Sequence, residues 1–319
     1  MKANIYTHYG TPEDIQFVDV ETPAPGDNDV LVRVRAASMN ASDCEMLKGS
    51  PLYVRLWGLR RPVYQTLGSD VAGTVVSVGK NISHFKAGDE VFGDLMGTFG
   101  GFAEYVCAPA KALMIKPAAM SFEAAATLPQ AALVAYQGLI NKAQLQSAES
   151  VLINGAGGGT GSFAIQIAKL FGARVSAVDS GPKQNLMRSL GADEVYDYTL
   201  GDVTQNGCQY DVIFDVVASH SVADYSRLLA PGGRYVMAGG TMKHILGTLI
   251  KGSWISQTQN KKMGILAAET NGGLQQMAEL VVSNAITPVI DRRYHLDDLP
   301  RALRYFAQGR AQGKILIIP

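Results

Sequence analysis

Hydrophobic and polar residues follow two different patterns along the chain. Up to about residue 120, short β-type runs alternate with Gly, Pro, Asp and Asn, which is typical of strands joined by turns. These runs are Lys2–Tyr6, Asp29–Arg35, Val71–Val78, Glu90–Phe92 and Phe102–Cys107. The pattern predicts a β-rich, barrel-like domain.

From about residue 122, apolar strand segments alternate with helical segments. Strands are predicted over Val151–Asn154, Arg174–Val178, Asp211–Val216 and Arg234–Ala238, with helices over Gly161–Phe171, Lys183–Leu190 and Ser221–Leu229 between them. Apolar strands joined by helical crossovers predict a parallel sheet that is covered on both faces. The final segment, from Leu296 to Ile318, has the pattern of a helix and a strand. Its periodicity leaves open whether it extends this sheet or returns to the first domain.

The strand at Val151–Asn154 leads directly into a glycine-rich turn and then a helix. A dinucleotide-binding turn needs small residues where the backbone turns, where it approaches a pyrophosphate, and where the helix packs on the strand. Ala156, Gly158 and Gly161 occupy these three positions, and Asp179 ends the next predicted strand. An acidic residue about twenty positions after the glycines is the second part of this signal. The two parts together predict a dinucleotide site.

Composition and charge limit the classes of binding partner that we expect. Lys+Arg and Asp+Glu both number 28, so the net charge is zero. We therefore expect no nucleic acid and no membrane as a partner. Cys44, Cys107 and Cys208 are odd in number and far apart, which indicates reduced thiols and a cytoplasmic protein. No uninterrupted apolar run is long enough to span a bilayer.

Several collinear motifs carry a resemblance that extends over essentially the whole chain. They are Gly68-Ser-Asp-Val-Ala-Gly73, Phe85-Lys-Ala-Gly-Asp-Glu-Val-Phe92, Gly101-Phe-Ala-Glu-Tyr105, Gly158-Gly-Thr-Gly161, Ser189-Leu-Gly-Ala-Asp193 and Pro231-Gly-Gly233. With these motifs the chain resembles the medium-chain dehydrogenase/reductase superfamily, specifically its zinc-free quinone-oxidoreductase branch. The resemblance implies an α/β fold in which a Rossmann doubly wound parallel sheet (124–267) is inserted into a GroES-like, β-rich catalytic domain (1–123 and 268–319). It also implies a homodimer joined through sheet edges, for which 234–238 and 245–250 are candidate segments.

The positions that hold catalytic zinc in related dehydrogenases carry other residue types here. They read Asn40, Ser69 and either Gln130 or Ala131, with Asp70 as the adjacent carboxylate. Amides and hydroxyls are poor zinc ligands, so we expect no zinc. Without a Lewis acid, alcohol oxidation is harder to support than hydride addition to an activated double bond. We therefore expect NAD(P)H-dependent reduction of a small-molecule electrophile, a quinone or an α,β-unsaturated carbonyl (enone).

Candidate catalytic residues follow from the resemblance and from residue chemistry. Asn40 could donate a hydrogen bond to the nicotinamide ribose or to the substrate oxygen, or act as a helix N-cap. Asp43 is expected to anchor this loop. Relatives often carry a tyrosine where this chain has Glu45, so Tyr53 or Tyr64 could supply a phenol to the pocket instead, or pack within a surface loop.

Choice of cofactor depends on neighbouring groups of opposite charge. Asp179 can accept both ribose hydroxyls of NAD and would repel the 2′-phosphate of NADP. Ser180 and Lys183 could donate to that phosphate. An unpaired carboxylate beside a phosphate is unfavourable, so we expect NAD to be slightly favoured over NADP.

The remaining cofactor candidates are small or polar residues near strand ends and the glycine turn, together with one lysine. They are Thr127, Asn154, Gly159, Thr160, Val217, Gly239, Gly240 and Lys314. The backbone of Gly159 and Thr160 would bind the pyrophosphate, and Lys314 resembles a basic residue that reaches the cofactor phosphates. Each also has a purely structural interpretation, such as a strand-end turn, a helix cap for Thr127, or a solvated edge lysine for Lys314.

Two alternatives to the quinone or enone reductase remain. One is an alcohol dehydrogenase or aldehyde reductase that uses the same cofactor. The other is a non-catalytic NAD(P)H-binding redox sensor, which Glu45 in place of the expected aromatic residue leaves open.

Overall fold

A computed structural model describes residues 1–319, apart from the side chain of Trp57. The chain divides into two compact units: unit 1 comprises residues 1–130, 274–284 and 290–319, and unit 2 comprises residues 131–273 and 285–289. The first division therefore falls after residue 130 rather than after residue 123, because the helix Phe122–Thr127 packs against strands of unit 1.

Strands and helices have the following bounds. The strands are β1 (Lys2–Ile5), β2 (Gln16–Asp19), β3 (Asp29–Ser38), β4 (Asp70–Val78), β5 (Glu90–Asp94), β6 (Tyr105–Pro109), β7 (Met114–Ile115), β8 (Ser150–Asn154), β9 (Arg174–Asp179), β10 (Glu194–Asp197), β11 (Tyr210–Asp215), β12 (Leu229–Met237), β13 (Lys262–Ile265), β14 (Ile290–His295) and β15 (Lys314–Ile318). The helices are α1 (Ala41–Lys48), α2 (Phe122–Thr127), α3 (Ala131–Tyr136), α4 (Gly159–Leu170), α5 (Gln184–Ser189), α6 (Val222–Leu228), α7 (Met242–Gly247), α8 (Ser253–Thr258), α9 (Leu274–Val282) and α10 (Leu299–Ala307).

Unit 1 is built on a mostly antiparallel sheet in the order β14-β15-β3-β4-β5-β7, with β6 also paired to β3. Strand β15 pairs antiparallel with β3, so the C-terminal strand returns to the first domain. This settles the alternative that periodicity left open. Alternating inward residues of β3, such as Val30, Val32 and Val34, contribute to an apolar core that α10 also covers. The β-rich character predicted for the first domain is thus confirmed.

Unit 2 is an all-parallel sheet in the order β10-β9-β8-β11-β12-β13. Numbered within this unit, the order is 3-2-1-4-5-6, that of a Rossmann dinucleotide-binding sheet. The central strands β8 and β11 are nearly all buried and apolar, as two-sided coverage requires. Ligands of such sheets bind beyond the carboxyl ends of the strands, near the point where the order reverses. Here that point lies between β8 and β11.

The sheet edge of unit 2 differs from the predicted one. Strand β12, which contains the segment 234–238, is paired on both sides, to β11 and to β13. The prediction that this segment forms an edge is therefore wrong, and β13 occupies the edge instead. Periodicity missed β13 because it is only four residues long and begins with a charged residue. In the part of the chain that the structure describes, no helix has the length and apolar character needed to cross a membrane.

Candidate functional site

The glycine turn between β8 and α4 is closely packed at one glycine and open at another. A Cβ on Gly161 would lie 2.2 Å from the carbonyl oxygen of Gly155 and 2.4 Å from Cα of Ala156, so only glycine packs there. A Cβ on Gly158 would meet nothing closer than 3.6 Å. Gly158 is therefore not required by packing and leaves the backbone open to a ligand. Gly159, Thr160 and Gly161 form the first turn of a 12-residue helix, whose orphan N–H groups favour an anion.

Asp179 and Lys183 form an ion pair beside this turn. The Lys183 Nζ lies 3.1 Å from Asp179 Oδ1, and both side chains are more than nine-tenths buried. The same carboxylate accepts hydrogen bonds from the backbone N–H groups of Gly157 at 2.9 Å and Ser180 at 2.8 Å. Asp179 thus lies where the sequence predicts, at the carboxyl end of β9, but its charge is paired within the chain. The sequence predicts opposite effects of these two residues on a 2′-phosphate, and their ion pair is a finding of the structure.

The ends of β8 and β11 are joined by a buried polar network. Asn154 Nδ2 donates to Asp215 Oδ1 at 2.9 Å and lies 2.9 Å from the Tyr225 hydroxyl. The other oxygen of Asp215 accepts from the Tyr235 hydroxyl at 2.9 Å. This network fixes the strand ends at the point where the strand order reverses. A cofactor contact from the Asn154 side chain stays a prediction.

The other strand-end candidates of unit 2 occupy turns. Val217 follows β11, is half exposed, and its N–H group lies 3.3 Å from Asp215 Oδ1. Gly239 and Gly240 follow β12, and a Cβ on Gly239 would lie 2.3 Å from the carbonyl oxygen of Val216. Ala156 is fully buried under the glycine turn. In unit 1, the Thr127 hydroxyl donates to the carbonyl oxygen of Ala124 at 2.7 Å, so it bonds to its own helix.

In unit 1, strand register brings a second group of polar side chains together. Leu316 of β15 pairs with Ser38 of β3, which places Lys314 opposite Asn40, just beyond the end of β3. Asp70 of β4 pairs with Ser38 on the other side of β3, and Asp94 of β5 pairs with Asp70. We call this group the polar cluster; its members are Ser38, Asn40, Asp43, Ser69, Asp70, Asp94 and Lys314. All seven are buried.

Lys314 is the cation of the polar cluster. Its Nζ donates to Asn40 Oδ1 at 2.6 Å, to the carbonyl oxygen of Met39 at 3.0 Å and to Asp70 Oδ2 at 3.3 Å. Burial lowers the pKa of Lys314, and the charge of Asp70 acts in the opposite direction. The predicted contact of Lys314 with cofactor phosphates stays a prediction, and the observed geometry favours a different role for this lysine.

Asn40 and Asp43 hold the start of α1. Asn40 is the N-cap residue, and Asp43 accepts hydrogen bonds from the backbone N–H groups of Asn40 at 2.8 Å and Gly68 at 2.9 Å. Burial raises the pKa of Asp43 to about 7, although these two hydrogen bonds act against the rise. Asp43 therefore has the anchoring geometry that the sequence analysis favoured. The Nδ2 group of Asn40 is buried and has no hydrogen-bond partner, and the same is true of Ser69 Oγ and Asp70 Oδ1.

The two candidate tyrosines lie in different surroundings. The Tyr53 hydroxyl donates to Glu45 Oε2 at 3.2 Å, and burial together with the Glu45 charge raises its pKa to about 12. Glu45, which stands where relatives often carry a tyrosine, thus accepts a hydrogen bond from the phenol of Tyr53. Tyr64 is half-buried and packs on the core of unit 1, with its ring 5.6 Å from that of Phe99.

The polar cluster does not suit a catalytic zinc ion. Its members at the relevant positions are an amide, Asn40, and a hydroxyl, Ser69, which bind zinc poorly. The ammonium of Lys314 also lies within hydrogen-bond distance of Asn40 Oδ1 and Asp70 Oδ2, so a divalent cation bound to these oxygens would meet a like charge. Among the described residues, no group of three or more His, Cys, Asp or Glu side chains is placed to hold a metal ion.

Comparison with known proteins agrees with this architecture. Residues 26–118 match the family described as "Alcohol dehydrogenase GroES-like domain", and residues 190–317 match "Zinc-binding dehydrogenase". The chain is 34% identical to a 2-methylene-furan-3-one reductase from Solanum lycopersicum, across 100% of this chain and 79% of the relative. It is 29% identical to an NADPH-dependent alkenal/one oxidoreductase from Arabidopsis thaliana, across 100% of this chain and 80% of the relative.

Among solved structures, the quinone oxidoreductase from Coxiella burnetii superposes with a TM-score of 0.90 at 27% identity, covering 100% of this chain and 99% of that one. The Rossmann order of the parallel sheet, the glycine turn at the carboxyl end of its first strand and these similarities define a nicotinamide-dependent oxidoreductase. The chain belongs to the medium-chain dehydrogenase/reductase superfamily, in its zinc-free quinone-oxidoreductase-like branch.

Proposed function

We propose that this protein transfers hydride from NAD(P)H to a quinone or to the β-carbon of an enone, without a metal ion. The observation that carries the proposal is the buried, unpartnered Nδ2 group of Asn40, a hydrogen-bond donor in a domain whose zinc-ligand positions carry an amide and a hydroxyl. Such a donor can stabilise the negative charge that develops on a carbonyl oxygen during hydride addition. The names of the relatives, an enone reductase and an alkenal/one oxidoreductase, support the same substrate class.

Residues of unit 2 fit a dinucleotide. The open face of Gly158 and the N–H groups of Gly159 and Thr160 would hold the pyrophosphate, and the carboxyl end of β9 would receive the adenosine ribose. When bound, the nicotinamide supplies the hydride. The chain has only to bind and orient the reactants and to stabilise charge.

Residues of unit 1 act on the substrate oxygen. Asn40 donates a hydrogen bond through Nδ2 to the carbonyl oxygen, which becomes an enolate oxygen when hydride adds to the β-carbon and the double-bond electrons shift toward the carbonyl. The α-carbon then takes a proton from solvent, which yields the saturated ketone; the oxidised cofactor is the other product of the reaction. Asp43 keeps the backbone of Asn40 in place.

Regiochemistry tests this proposal. With cofactor carrying deuterium at the transferred position and an acyclic enone as substrate, mass spectrometry and NMR should find the saturated ketone with deuterium on the β-carbon. An allylic alcohol with deuterium on the carbonyl carbon would overturn the proposal in favour of the alcohol dehydrogenase alternative.

For the cofactor, we infer that NADH is slightly preferred over NADPH. The carboxylate of Asp179 lies at the strand end where ribose hydroxyls are bound in this fold. Its ion pair with Lys183 reduces the repulsion of a 2′-phosphate, so we expect both cofactors to be used.

We further propose that the protein is a cytoplasmic homodimer. The free cysteines support the compartment. The open edge of β13 and the exposed apolar residues Leu246, Leu249, Ile250 and Trp254 support an interface on unit 2. Light scattering should report a dimer that Ile250→Glu dissociates. Leu200→Glu, which alters a leucine of the same unit that is even more exposed than Ile250, should leave the dimer intact.

A further inference from the structure

The backbone and the side chain of Asn40 are each held by an ionisable group of the polar cluster. Its backbone N–H donates to Asp43 Oδ2 at 2.8 Å, and its side-chain oxygen accepts from Lys314 Nζ at 2.6 Å. The first contact fixes where the residue starts α1. The second fixes the rotation of its amide.

The amide of Asn40 has only one orientation compatible with Lys314. An ammonium has three N–H groups and no acceptor, so a flipped amide would set the NH2 group against another donor. The three hydrogens of Lys314 also have three acceptors in place: Asn40 Oδ1, the carbonyl oxygen of Met39 and Asp70 Oδ2. The lysine therefore has no hydrogen left with which to bind another group while it holds Asn40. The NH2 group of Asn40 is consequently left as a buried donor without a partner.

We propose that Lys314 is a positioning residue, which orients the Asn40 amide so that its NH2 group is the hydrogen-bond donor to the substrate oxygen. This inference rests on the proposed function for the identity of the acceptor. A cation on the carbonyl side of an amide also draws electron density toward the oxygen, which makes the opposite N–H groups stronger donors. Lys314 thus acts on the reaction through Asn40 and needs no contact with the substrate or the cofactor.

Burial and the neighbouring carboxyl groups act on the pKa of Lys314 in opposite directions. Three carboxyl groups face it: Asp43 from α1, Asp70 from β4 and Asp94 from β5. Burial favours the neutral amine, and these groups favour the ammonium. Asp70 forms a direct ion pair with Lys314, at 3.3 Å.

A double-mutant cycle tests the proposal with pre-steady-state rates of hydride transfer, measured at saturating cofactor and enone. We expect Asn40→Ala to slow the step about 100-fold, as loss of one oxyanion donor does, and Lys314→Met to slow it about 10- to 100-fold. Because Lys314 acts through Asn40, the double variant should be no slower than the slower single variant. Rate losses that multiply would overturn the proposal.

The same variants separate positioning from a contact with cofactor phosphates. If Lys314 bound a phosphate, Lys314→Met would raise the Kd of the cofactor and leave the rate at saturation unchanged. The proposal requires the opposite: a reduced rate at saturation and a cofactor Kd within about twofold of the wild-type value.

Lys116 provides a matched control in the same unit. It is also a buried lysine with three acceptors, the carbonyl oxygens of Pro117 and Met120 and the carboxylate of Glu90. We expect both Lys116→Met and Lys314→Met to lower the thermal midpoint, and Lys116→Met to leave the hydride-transfer rate unchanged. Equal rate losses in the two variants would show that only the fold had been damaged.

A spectroscopic measurement keeps the two proposals distinguishable. In protein labelled with side-chain ¹⁵N-asparagine, the NH2 signal of Asn40 is the one lost in Asn40→Ala. We expect that signal to shift or broaden in Lys314→Met and to stay in place in Lys116→Met, with no substrate present. An unchanged signal in Lys314→Met would overturn the positioning role. A protein that turns over no quinone or enone but shows the expected shift would overturn only the proposed function.

Discussion

Lys183 Nζ lies 3.1 Å from Asp179 Oδ1, at the carboxyl end of the strand that follows the glycine turn. Under the proposed function, the pair sets a negative and a positive group at the strand end that receives the adenosine ribose, where NAD and NADP differ. Asp179→Ser removes the carboxylate and releases the lysine, so both effects should favour a 2′-phosphate. We expect the ratio of kcat/KM for NADPH to that for NADH to rise by about tenfold or more, which corresponds to a change of about 1.4 kcal/mol in relative transition-state stabilisation.

Steady-state kinetics with both cofactors measures this change. Asp193→Ser is the control, because Asp193 forms a more exposed ion pair with Lys169 in the same unit. If the ratio of kcat/KM values for NADPH and NADH is unchanged in Asp179→Ser, Asp179 does not contribute to the choice of cofactor.

The glycine turn offers two substitutions with different expected effects. Gly158→Ala leaves 3.6 Å to the nearest neighbouring atom, so the fold should tolerate it while the methyl group obstructs the pyrophosphate. Gly161→Ala places Cβ 2.2 Å from a backbone oxygen, so it should destabilise unit 2 by about 1–3 kcal/mol. Cofactor titration by fluorescence and urea unfolding, applied to both variants, separate the two effects. Tight cofactor binding by Gly158→Ala would show that this backbone face does not receive the pyrophosphate.

Asn40→Asp changes the proposed donor with little change in shape. The new carboxylate still accepts from Lys314, so thermal stability should stay close to that of the wild type. Its second oxygen replaces the NH2 group and would repel a developing enolate, so we expect turnover to fall about 100-fold or more. Wild-type turnover in this variant would show that Asn40 acts only as the N-cap of α1.

The raised pKa of Asp94 predicts that the stability of the protein depends on pH. Burial and the charge of Asp70 raise its pKa to about 7, well above that of an unfolded aspartate. Between about pH 4 and pH 7 the folded protein therefore retains a proton that the unfolded chain has released, and this group's contribution to stability falls as pH rises.

Asp94→Asn should remove that contribution and keep the acceptor for the N–H group of Met96. The free energy of unfolding of the variant, relative to the wild type, should increase with pH across this window, by at most about 1.4 kcal/mol per pH unit. Urea unfolding of both proteins at several pH values measures the difference. A difference that does not vary with pH would show that Asp94 is ionised throughout.

Local sequence patterns were sufficient to predict most of the fold. The predicted strands Val151–Asn154 and Arg174–Val178 differ from β8 and β9 by one residue at one end, because parallel strands buried on both faces are continuous apolar runs. Short strands such as β10 and β13 have mixed polarity, and pairing rather than pattern defines them. The turn of Ala156, Gly158 and Gly161 was predictable because steric demands act within a few residues.

The polar cluster was only partly predictable. Asn40, Asp43 and Lys314 were each singled out from the resemblance, yet Lys314 and Asn40 are 274 residues apart. Their contact follows from the antiparallel register of β15 on β3, which no local pattern encodes. The Asp179–Lys183 pair has a spacing of four residues and was within reach of spacing rules, although Lys183 ends a short 3₁₀ helix ahead of α5 rather than lying within an α-helix with Asp179.

The measurement that tests the account most directly is the decrease of absorbance at 340 nm with NADH and NADPH in parallel, in the presence of a metal chelator. A quinone, an enone and an aldehyde serve as the three substrates. We expect consumption of both cofactors with the quinone or the enone, undiminished by the chelator, and little with the aldehyde. Tight cofactor binding without consumption in any of the three reactions, or consumption that the chelator abolishes, would contradict a metal-independent quinone or enone reductase.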